Sequence, residues 1–382
     1  MTVRVNKPSL NIREKLSELE RPIGLKGGEI MSAETAQEAR DLVSAGRKNM
    51  IINGSMLVNQ RGHTGALTDS VSTFIVDRFK VRSTATNGGV LSSQGSASAA
   101  SNAPGFRGWL QVDVNTSQSS LGTNDYARIQ HYVEGYNCFM DWGLYGANTD
   151  HVTISFWVKA HLPGVYCVSL EDGDASPIHI KEYIIKNSGV WQKISVTFPP
   201  PRTGSFRTRD NQAGLRITWC LAAGTGHQTS SPNTWNNTYN MATSNIVNFY
   251  SSTDNYFNLT GVQLEVGKNA TDFEYRSYGE ELALCQRYYQ KMGDTATNEI
   301  VLGGYSVDGS VIYNSVQLPV EMRAVPTLSR VGTFYVVRTN QPSSLNSHVG
   351  RKGFGVVFTT TGTGNYLLAT STNAYFVLDA EI

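Results

Sequence analysis

Apolar and polar residues alternate with a period of two through most of the sequence between residues 48 and 274. The segment HVTISFWVKA, residues 151–160, shows this most clearly, since every second residue from Val152 to Val158 is apolar while Trp157 stands among polar residues on the other face. Successive side chains of a strand point to opposite faces, so the pattern predicts strands with one face in a core. VWQKISVTF and GLRITWCLA repeat it.

About eight such segments are separated by turns rich in Gly, Asn and Ser, and helical periodicity is nearly absent between them. This organisation predicts a mainly β fold, with a jelly-roll-like β-sandwich over residues 48–276, and it disfavours a parallel α/β enzyme fold. The composition agrees, because only 16% of residues are charged whereas 10% are aromatic. Two stretches, 83–105 and 223–255, fall outside the alternation and are predicted as long loops.

The first 47 residues have a different pattern. Two short amphipathic helices are predicted there, separated by a Pro and Gly-rich linker, and they are too small to fold alone. We expect a helical attachment or oligomerisation segment, although an arm that folds back on its own domain is the alternative. Its candidate anchor residues are Leu10, Ile12, Leu16, Leu19, Leu42 and Val43.

Helical spacing returns at YGEELALCQRYYQKM, where acids begin the segment and Gly293 follows it. A connecting helix is therefore predicted over 277–293. Alternation resumes beyond it, so residues 294–382 are predicted to form a second, smaller β domain.

The predicted loop 223–255 sets aromatic rings among amides and hydroxyls, as a sugar site requires for stacking and hydrogen bonding. Trp235, Tyr239 and Tyr250 are the candidate glycan-binding residues. The alternative is that these rings only pack the loop against its own domain.

No catalytic motif is recognised, and we expect no enzyme activity and no cofactor. The acidic run with Glu171, Asp172 and Asp174 favours a hydrated turn over a calcium site. A formal charge of +1 disfavours nucleic acid as a partner, and the lack of an 18-residue apolar stretch disfavours membrane insertion.

Several segments resemble tail-fibre and tail-appendage virion proteins of tailed bacteriophages, especially podovirus-like proteins of marine phages. They are NKPSLNIREKLSELERPIGLKG at the N-terminus, AGRKNMIINGSMLVNQRG at 45–62 with VDRF at 76–79, the stretch 259–291, and LPVEMRAVPT at 318–327. Together they cover about a third of the chain and bracket nearly all of it.

The resemblance implies a structural virion protein, made in the bacterial host cytoplasm and located in the virion tail. It implies a homotrimer that attaches to a tail adaptor or other tail proteins through its N-terminal segment, with the β domains facing the host. The low charge and the many Asn, Ser, Thr and Tyr residues favour a bacterial surface glycan as the partner of those domains. A short tail fibre is the expected form. The alternatives are an adaptor or decoration protein that binds virion proteins and no glycan, and a polysaccharide depolymerase.

Overall fold

A computed structural model describes residues 48–86, 89–96, 105–138, 151–173, 176–201, 210–293, 300–306, 311–337, 348–359, 362–371 and 373–382. The elements given below all belong to one compact unit, Asn49–Ile382. The predicted segment 1–47, with Leu10, Ile12, Leu16, Leu19, Leu42 and Val43, lies outside the described residues. None of the described helices is long and apolar enough to cross a membrane.

Two antiparallel sheets form a sandwich, which confirms the predicted mainly β fold class. In spatial order, the six-stranded sheet contains β1 (Thr64–Ala66), β4 (Val90–Ser96), β5 (Trp109–Thr116), β15 (Tyr256–Val266), β7 (Val152–Ala160) and β10 (Gln192–Phe198). The seven-stranded sheet contains β13 (Trp235–Asn236), β9 (Ile178–Ile185), β8 (Gly164–Asp172), β11 (Ala213–Ala223), β6 (Tyr126–Glu134), β3 (Phe79–Thr84) and β2 (Thr73–Val76).

The inward faces of these sheets form the main hydrophobic core. At its centre the Trp219 ring lies 5.8 Å from Phe156 and 6.1 Å from Phe79, between centroids, and all three are fully buried. Burying a side chain of this size contributes about 1.5–3 kcal/mol of hydrophobic free energy, so the core is the main source of cohesion between the sheets. The predicted inward positions of β7 and β11 are confirmed.

Two segments of the sandwich, one expected strand and one expected loop, have a different structure from the one that the sequence indicates. Residues 74–81, one of the alternating segments from which a single strand is expected, form the hairpin β2–β3, because the chain turns at Arg78 with φ 72°. The predicted loop 83–105 contains β4, which pairs with both β1 and β5. The Gly, Ser and Asn residues around β4 are uncommon in strands, so the sequence did not indicate a strand there. Pairing with the neighbouring strands, and not the intrinsic strand propensity of these residues, determines the structure.

Residues 223–255 contain the two-residue strands β12 (Gln228–Thr229), β13 and β14 (Ala242–Thr243), with single 3-10 turns at Thr225–His227 and Phe249–Ser251. A further turn of this kind is Gly135–Asn137. Met241 and Ala242 pack with Cys167 and Cys220 on the outer face of the seven-stranded sheet. The segment therefore covers part of that face.

The predicted helix 277–293 is shorter in the structure, where helix α1 is Tyr278–Gln286. The Ser277 hydroxyl accepts from the Glu280 amide and caps its start. Residues Tyr289–Gly293 form strand β16 and pair with Tyr375–Asp379. Apolar spacing at 282, 285 and 289 fits a helix, but strand pairing and burial of Tyr289 override that local preference.

The C-terminal strands enclose a second core with Phe354, Phe358 and Phe376 among its buried rings. Three antiparallel sheets surround it. They are β16–β23–β19, β17–β22–β20 and β18–β21, with β17 (Val301–Ser306), β18 (Val311–Gln317), β19 (Thr327–Val331), β20 (Tyr335–Val337), β21 (Gly353–Thr359), β22 (Gly364–Ala369) and β23 (Tyr375–Asp379).

Buried charges join this second core to the sandwich. Arg78, 2% exposed, forms an ion pair with Glu381, donates to the Tyr132 carbonyl at 2.6 Å, and lies 3.5 Å from the Tyr288 ring centroid. Arg61 also contacts Glu381, at 3.1 Å. The hairpin turn of the sandwich therefore contacts Tyr288, which follows α1, and Glu381, which follows β23.

Removal of this guanidinium should weaken the whole unit. In Arg78→Ala the Glu381 carboxylate keeps only Arg61 in a buried site, so we expect the free energy of unfolding to fall by about 3–5 kcal/mol. Urea denaturation measures the change. Glu321→Ala is the control, because its pairs with Arg351 and Lys352 are exposed and such pairs contribute about 0–1 kcal/mol. Equal effects in the two variants would contradict a structural role for the buried pair.

The neighbouring carboxyl predicts a pH dependence. Burial raises the pKa of Asp77 to about 6, although hydrogen bonds from Gln60 and the Arg61 charge oppose this. The folded chain therefore binds more protons than the unfolded chain between about pH 4 and 7, and the stability of the wild type relative to Asp77→Asn should fall as pH rises through this range. The expected fall is on the order of 2–3 kcal/mol, measured by urea denaturation at several pH values. A constant difference would show that Asp77 titrates normally.

Candidate functional site

A pocket of about 450 Å³ opens on the outer face of the six-stranded sheet. Its floor comes from β7 and β10, where Trp157 and Lys193 are directly opposite each other. Trp157 points away from the core because Phe156 and Val158, its neighbours in the strand, point into it. The indole is half-buried, so a large apolar ring borders the pocket.

A bulge in β15 makes room for this ring. The pairing of β15 with β7 shifts between Thr260 and Gln263, and Gly261 adopts a positive φ of 61° there. A Cβ at Gly261 would lie 2.6 Å from Phe106 Cζ and 2.9 Å from Trp157 Cδ1. Glycine at this position therefore satisfies the backbone and also lets two rings approach the strand.

Three further aromatic rings line one side of the pocket. Phe106 lies 4.9 Å from Phe273 in an edge-to-face contact and 5.6 Å from Tyr275 in a stacked one, between ring centroids. The Tyr275 hydroxyl donates to the Gly105 carbonyl at 3.0 Å, which fixes the ring while 62% of the residue stays exposed. The contacts hold an accessible aromatic surface in one orientation.

Polar side chains of Ser155, Lys193 and Asp272 complete the lining. Ser155 lies on the floor and is buried, whereas Lys193 and Asp272 are exposed at the rim. Apolar ring faces beside a hydroxyl, an ammonium and a carboxylate can stack on a sugar ring and hydrogen-bond its hydroxyls. The lining therefore combines aromatic and polar groups in one cavity.

The three predicted glycan residues are not brought together by the structure. Trp235 is half-buried and donates its indole N–H to the Pro199 carbonyl at 3.0 Å, so its polar edge is already engaged. Tyr250 is fully buried in the main core and cannot stack on a ligand, which corrects its assignment. Tyr239 is 45% exposed and accepts a hydrogen bond from Arg128 on the outer face of the seven-stranded sheet.

Sequence reasoning missed the pocket residues Trp157, Phe106, Phe273 and Tyr275. One signal was present, because the alternation of β7 places a tryptophan on its polar face. Phe106 and Phe273 are 167 positions apart, and no local pattern predicts that β5 and β15 bring them to the same side.

The prediction of a hydrated turn at the acidic run is wrong for Glu171 and Asp172, because both are buried in β8. Glu171, 2% exposed, pairs with Arg216 and accepts hydrogen bonds from Ser169 and Thr218 at 2.8 and 2.9 Å. Asp174 lies outside the described residues. In the described part of the chain no group of three or more His, Cys, Asp or Glu side chains could hold a metal ion.

A larger concavity of about 810 Å³ lies beside β18 and β21. Tyr313, 68% exposed, stands on its rim with His348 in an edge-to-face contact at 6.3 Å. It has fewer large rings than the Trp157 pocket, and charged side chains of Glu321, Arg351 and Lys352 form its border.

Similar solved structures include one bacteriophage tailspike domain and two carbohydrate-binding modules. The enzymatically active domain of bacteriophage CBA120 tailspike protein 4 is 10% identical over 57% of this chain and 21% of that domain, with a TM-score of 0.31. TmCBM61, in complex with β-1,4-galactotriose, is 9% identical over 58% of this chain and 100% of its own, with a TM-score of 0.28. The family 11 carbohydrate-binding module of the cellulosomal cellulase Lic26A-Cel5E of Clostridium thermocellum is 12% identical over 55% and 98%, with a TM-score of 0.27.

This chain thus spans about a fifth of the length of the tailspike domain. No protein-family model and no curated protein matches the sequence. TM-scores of 0.31 and lower establish neither a family nor a function for this chain.

Gly261 should be required for the shape of the pocket. In Gly261→Ala the left-handed backbone costs about 1–2 kcal/mol, and the new methyl group collides with Phe106 and Trp157. We expect a fall in the free energy of unfolding of about 2–4 kcal/mol with a change in tryptophan fluorescence. Gly62→Ala, with φ 59° and open space around the position, measures the backbone cost alone. If the two variants lose the same stability, the close packing at Gly261 is not as described.

Proposed function

We propose that this chain is a non-enzymatic structural protein of a bacteriophage tail and contributes to adhesion by binding a glycan of the bacterial surface. The aromatic pocket around Trp157 is the observation that supports glycan binding. The resemblance to tail-fibre proteins supports the place in the virion, and it rests on residues 6–27, 45–62, 76–79, 259–291 and 318–327.

The pocket suits a sugar for physical reasons. A pyranose ring has an apolar C–H face and a rim of hydroxyls, and it needs a flat ring beneath it with polar groups beside it. Trp157 supplies the ring, with Ser155 and Lys193 in adjacent positions on β7 and β10. About 450 Å³ is within the size range of pockets that hold small ligands, so one or two sugar units fit.

In this proposal residues 1–47 anchor the chain to a tail adaptor or other tail proteins and assemble it as a homotrimer. Three copies would bury the narrow apolar stripes of the predicted helices, and three pockets would bind a repeating surface polymer by avidity. The virion tail is the proposed location.

Replacing the central ring tests the site. We expect Trp157→Ala to weaken binding of a surface oligosaccharide about thirtyfold, which corresponds to the loss of about 2 kcal/mol at an aromatic anchor. An array of bacterial surface glycans identifies the probe, and isothermal titration calorimetry with that oligosaccharide measures the affinity. Single-site affinities avoid the contribution of avidity.

Tyr313→Ala is the matched control, because it removes an exposed ring from the C-terminal concavity. Loss of binding in this variant with retention in Trp157→Ala would move the glycan site to that concavity. No binding to any glycan by the intact chain would favour an adaptor or decoration protein instead. Release of reducing ends from a bound polysaccharide would show a depolymerase.

A further inference from the structure

The outer face of the seven-stranded sheet carries four cationic side chains, which we call the cation cluster. Its members are Lys80, Arg82, Arg128 and Arg216. In the β3–β6 register Arg82 is directly opposite Arg128, and Lys80 is opposite Gln130. Val81 and Ile129, between these pairs, lie in the main core, so the cationic side chains project to the opposite face. Arg216, on the next strand β11, is opposite Tyr132, which lies two residues beyond Gln130 on β6.

Only part of this charge is balanced. Arg216 holds Glu171, with an Nε to Oε2 distance of 2.6 Å. Lys80 donates to the main-chain oxygen of Ile382 at 3.1 Å and lies 4.1 Å from the Tyr132 ring centroid. Within the described ranges neither Arg82 nor Arg128 forms an ion pair with a carboxylate. Arg82 and Arg128 are therefore the members of the cluster that no described carboxylate balances.

Arg128 is the most unusual member because, within the described residues, it is buried without a carboxylate partner, whereas the buried Arg216 has Glu171. It is only 5% exposed, and its Nε is buried without a hydrogen-bond partner; Arg82 Nε has the same status. Its guanidinium lies between two rings, 4.8 Å from the Tyr126 centroid and 5.8 Å from that of Tyr239. Buried polar groups in proteins are nearly always hydrogen-bonded, and like charges directly opposite in a sheet are destabilising. An anion between Arg82 and Arg128 would relieve both costs.

The titration of Lys80 agrees with this unbalanced positive charge. Burial is the main cause that lowers its pKa to about 8, and Arg78, Arg128 and Arg216 lower it further while Glu381 raises it. The cations are therefore close enough to repel one another.

We infer that the cation cluster binds the carboxylate of an acidic saccharide, with Arg82 and Arg128 as its ligands and Tyr239 beside the sugar ring. Planar guanidinium groups bind carboxylates in a bidentate manner, and this favours Arg over Lys for the contact. Tyr239, 45% exposed and bonded to Arg128 through its hydroxyl, offers an aromatic face at the edge of the cluster. A long polyanion fits less well, since the chain has a net charge of only +1 and Glu171 lies within the cluster.

This second site is independent of the Trp157 pocket, because it lies on the outer face of the other sheet. Its ligand also differs by charge. Each site can therefore be lost without the other, and the failure of one proposal is distinguishable from the failure of the other.

The test uses the full chain and matched pairs of charged and neutral probes. Sialyllactose is compared with lactose, and tri-galacturonate with galactotriose, by isothermal titration calorimetry. We expect at least one acidic probe to bind about tenfold or more tightly than its neutral partner, since one charge-assisted hydrogen bond contributes that much. Sodium chloride at 500 mM should weaken this binding relative to 50 mM.

Arg82→Gln should reduce the affinity for the acidic probe about tenfold, whereas Lys186→Gln, which removes an exposed cation of β9's C-terminal end, should change it less than twofold. Trp157→Ala should leave it unchanged. Tyr239→Ala is the second variant, because its exposed ring can be removed without opening the core, and it should weaken the acidic probe as well.

Three results would overturn the inference. The first is equal affinity for charged and neutral probes. Unchanged affinity in a folded Arg82→Gln or Tyr239→Ala chain is the second. The third is saturation by inorganic sulfate with no binding of either acidic saccharide, because this would identify a site for small anions.

Discussion

The buried guanidinium of Arg78 is the interaction on which the relation between the two cores depends. It lies in the β2–β3 turn with φ 72°, a conformation that costs a non-glycine residue about 1–2 kcal/mol, so the contacts it makes must stabilise it there. Those contacts are Glu381, the Tyr132 carbonyl and the Tyr288 ring. Since a buried charge needs all its partners in place, Glu381 after β23 and Tyr288 after α1 are fixed to one edge of the sandwich.

A sandwich has only two outer faces, and this chain uses them differently. On the six-stranded sheet Gly261 has no side chain at the bulge, so the aromatic rings of the pocket can pack close to the strand. On the seven-stranded sheet the segment 223–255 covers one part with Met241 and Ala242 and leaves the cation cluster beside it. Both faces therefore depend on a rigid core, because a strand can present Trp157 or Arg82 outward only while its alternate residues are held inward.

Short stretches of sequence predicted the features that depend only on neighbouring residues, namely which strand residues face inward and where the helix begins. The inward residues of β7 and β11 follow from alternation, and the start of α1 follows from the acidic residues of its first turn. The end of α1 does not, since Tyr289 suits a helix face or a strand and only its pairing with Asp379 decides. Tyr250 shows the same limit, because an aromatic residue among Asn, Ser and Thr can be exposed or fully buried. Distant residues such as Phe106 and Phe273 meet through sheet order, which no short segment encodes.

The scarcity of charge gives the cation cluster its significance. Only 16% of the residues are charged, and the net charge is +1, so solubility alone does not explain four cations on one face. Other buried guanidinium groups have carboxylate partners, as in Arg78 with Glu381 and Arg216 with Glu171. Arg128 differs from these because it is equally buried but has only a tyrosine hydroxyl and two ring faces. Those buried guanidinium groups are paired with carboxylates, whereas Arg128 is not, and its unpaired charge lowers the stability of the fold. An anionic ligand beside Arg128 would remove this cost.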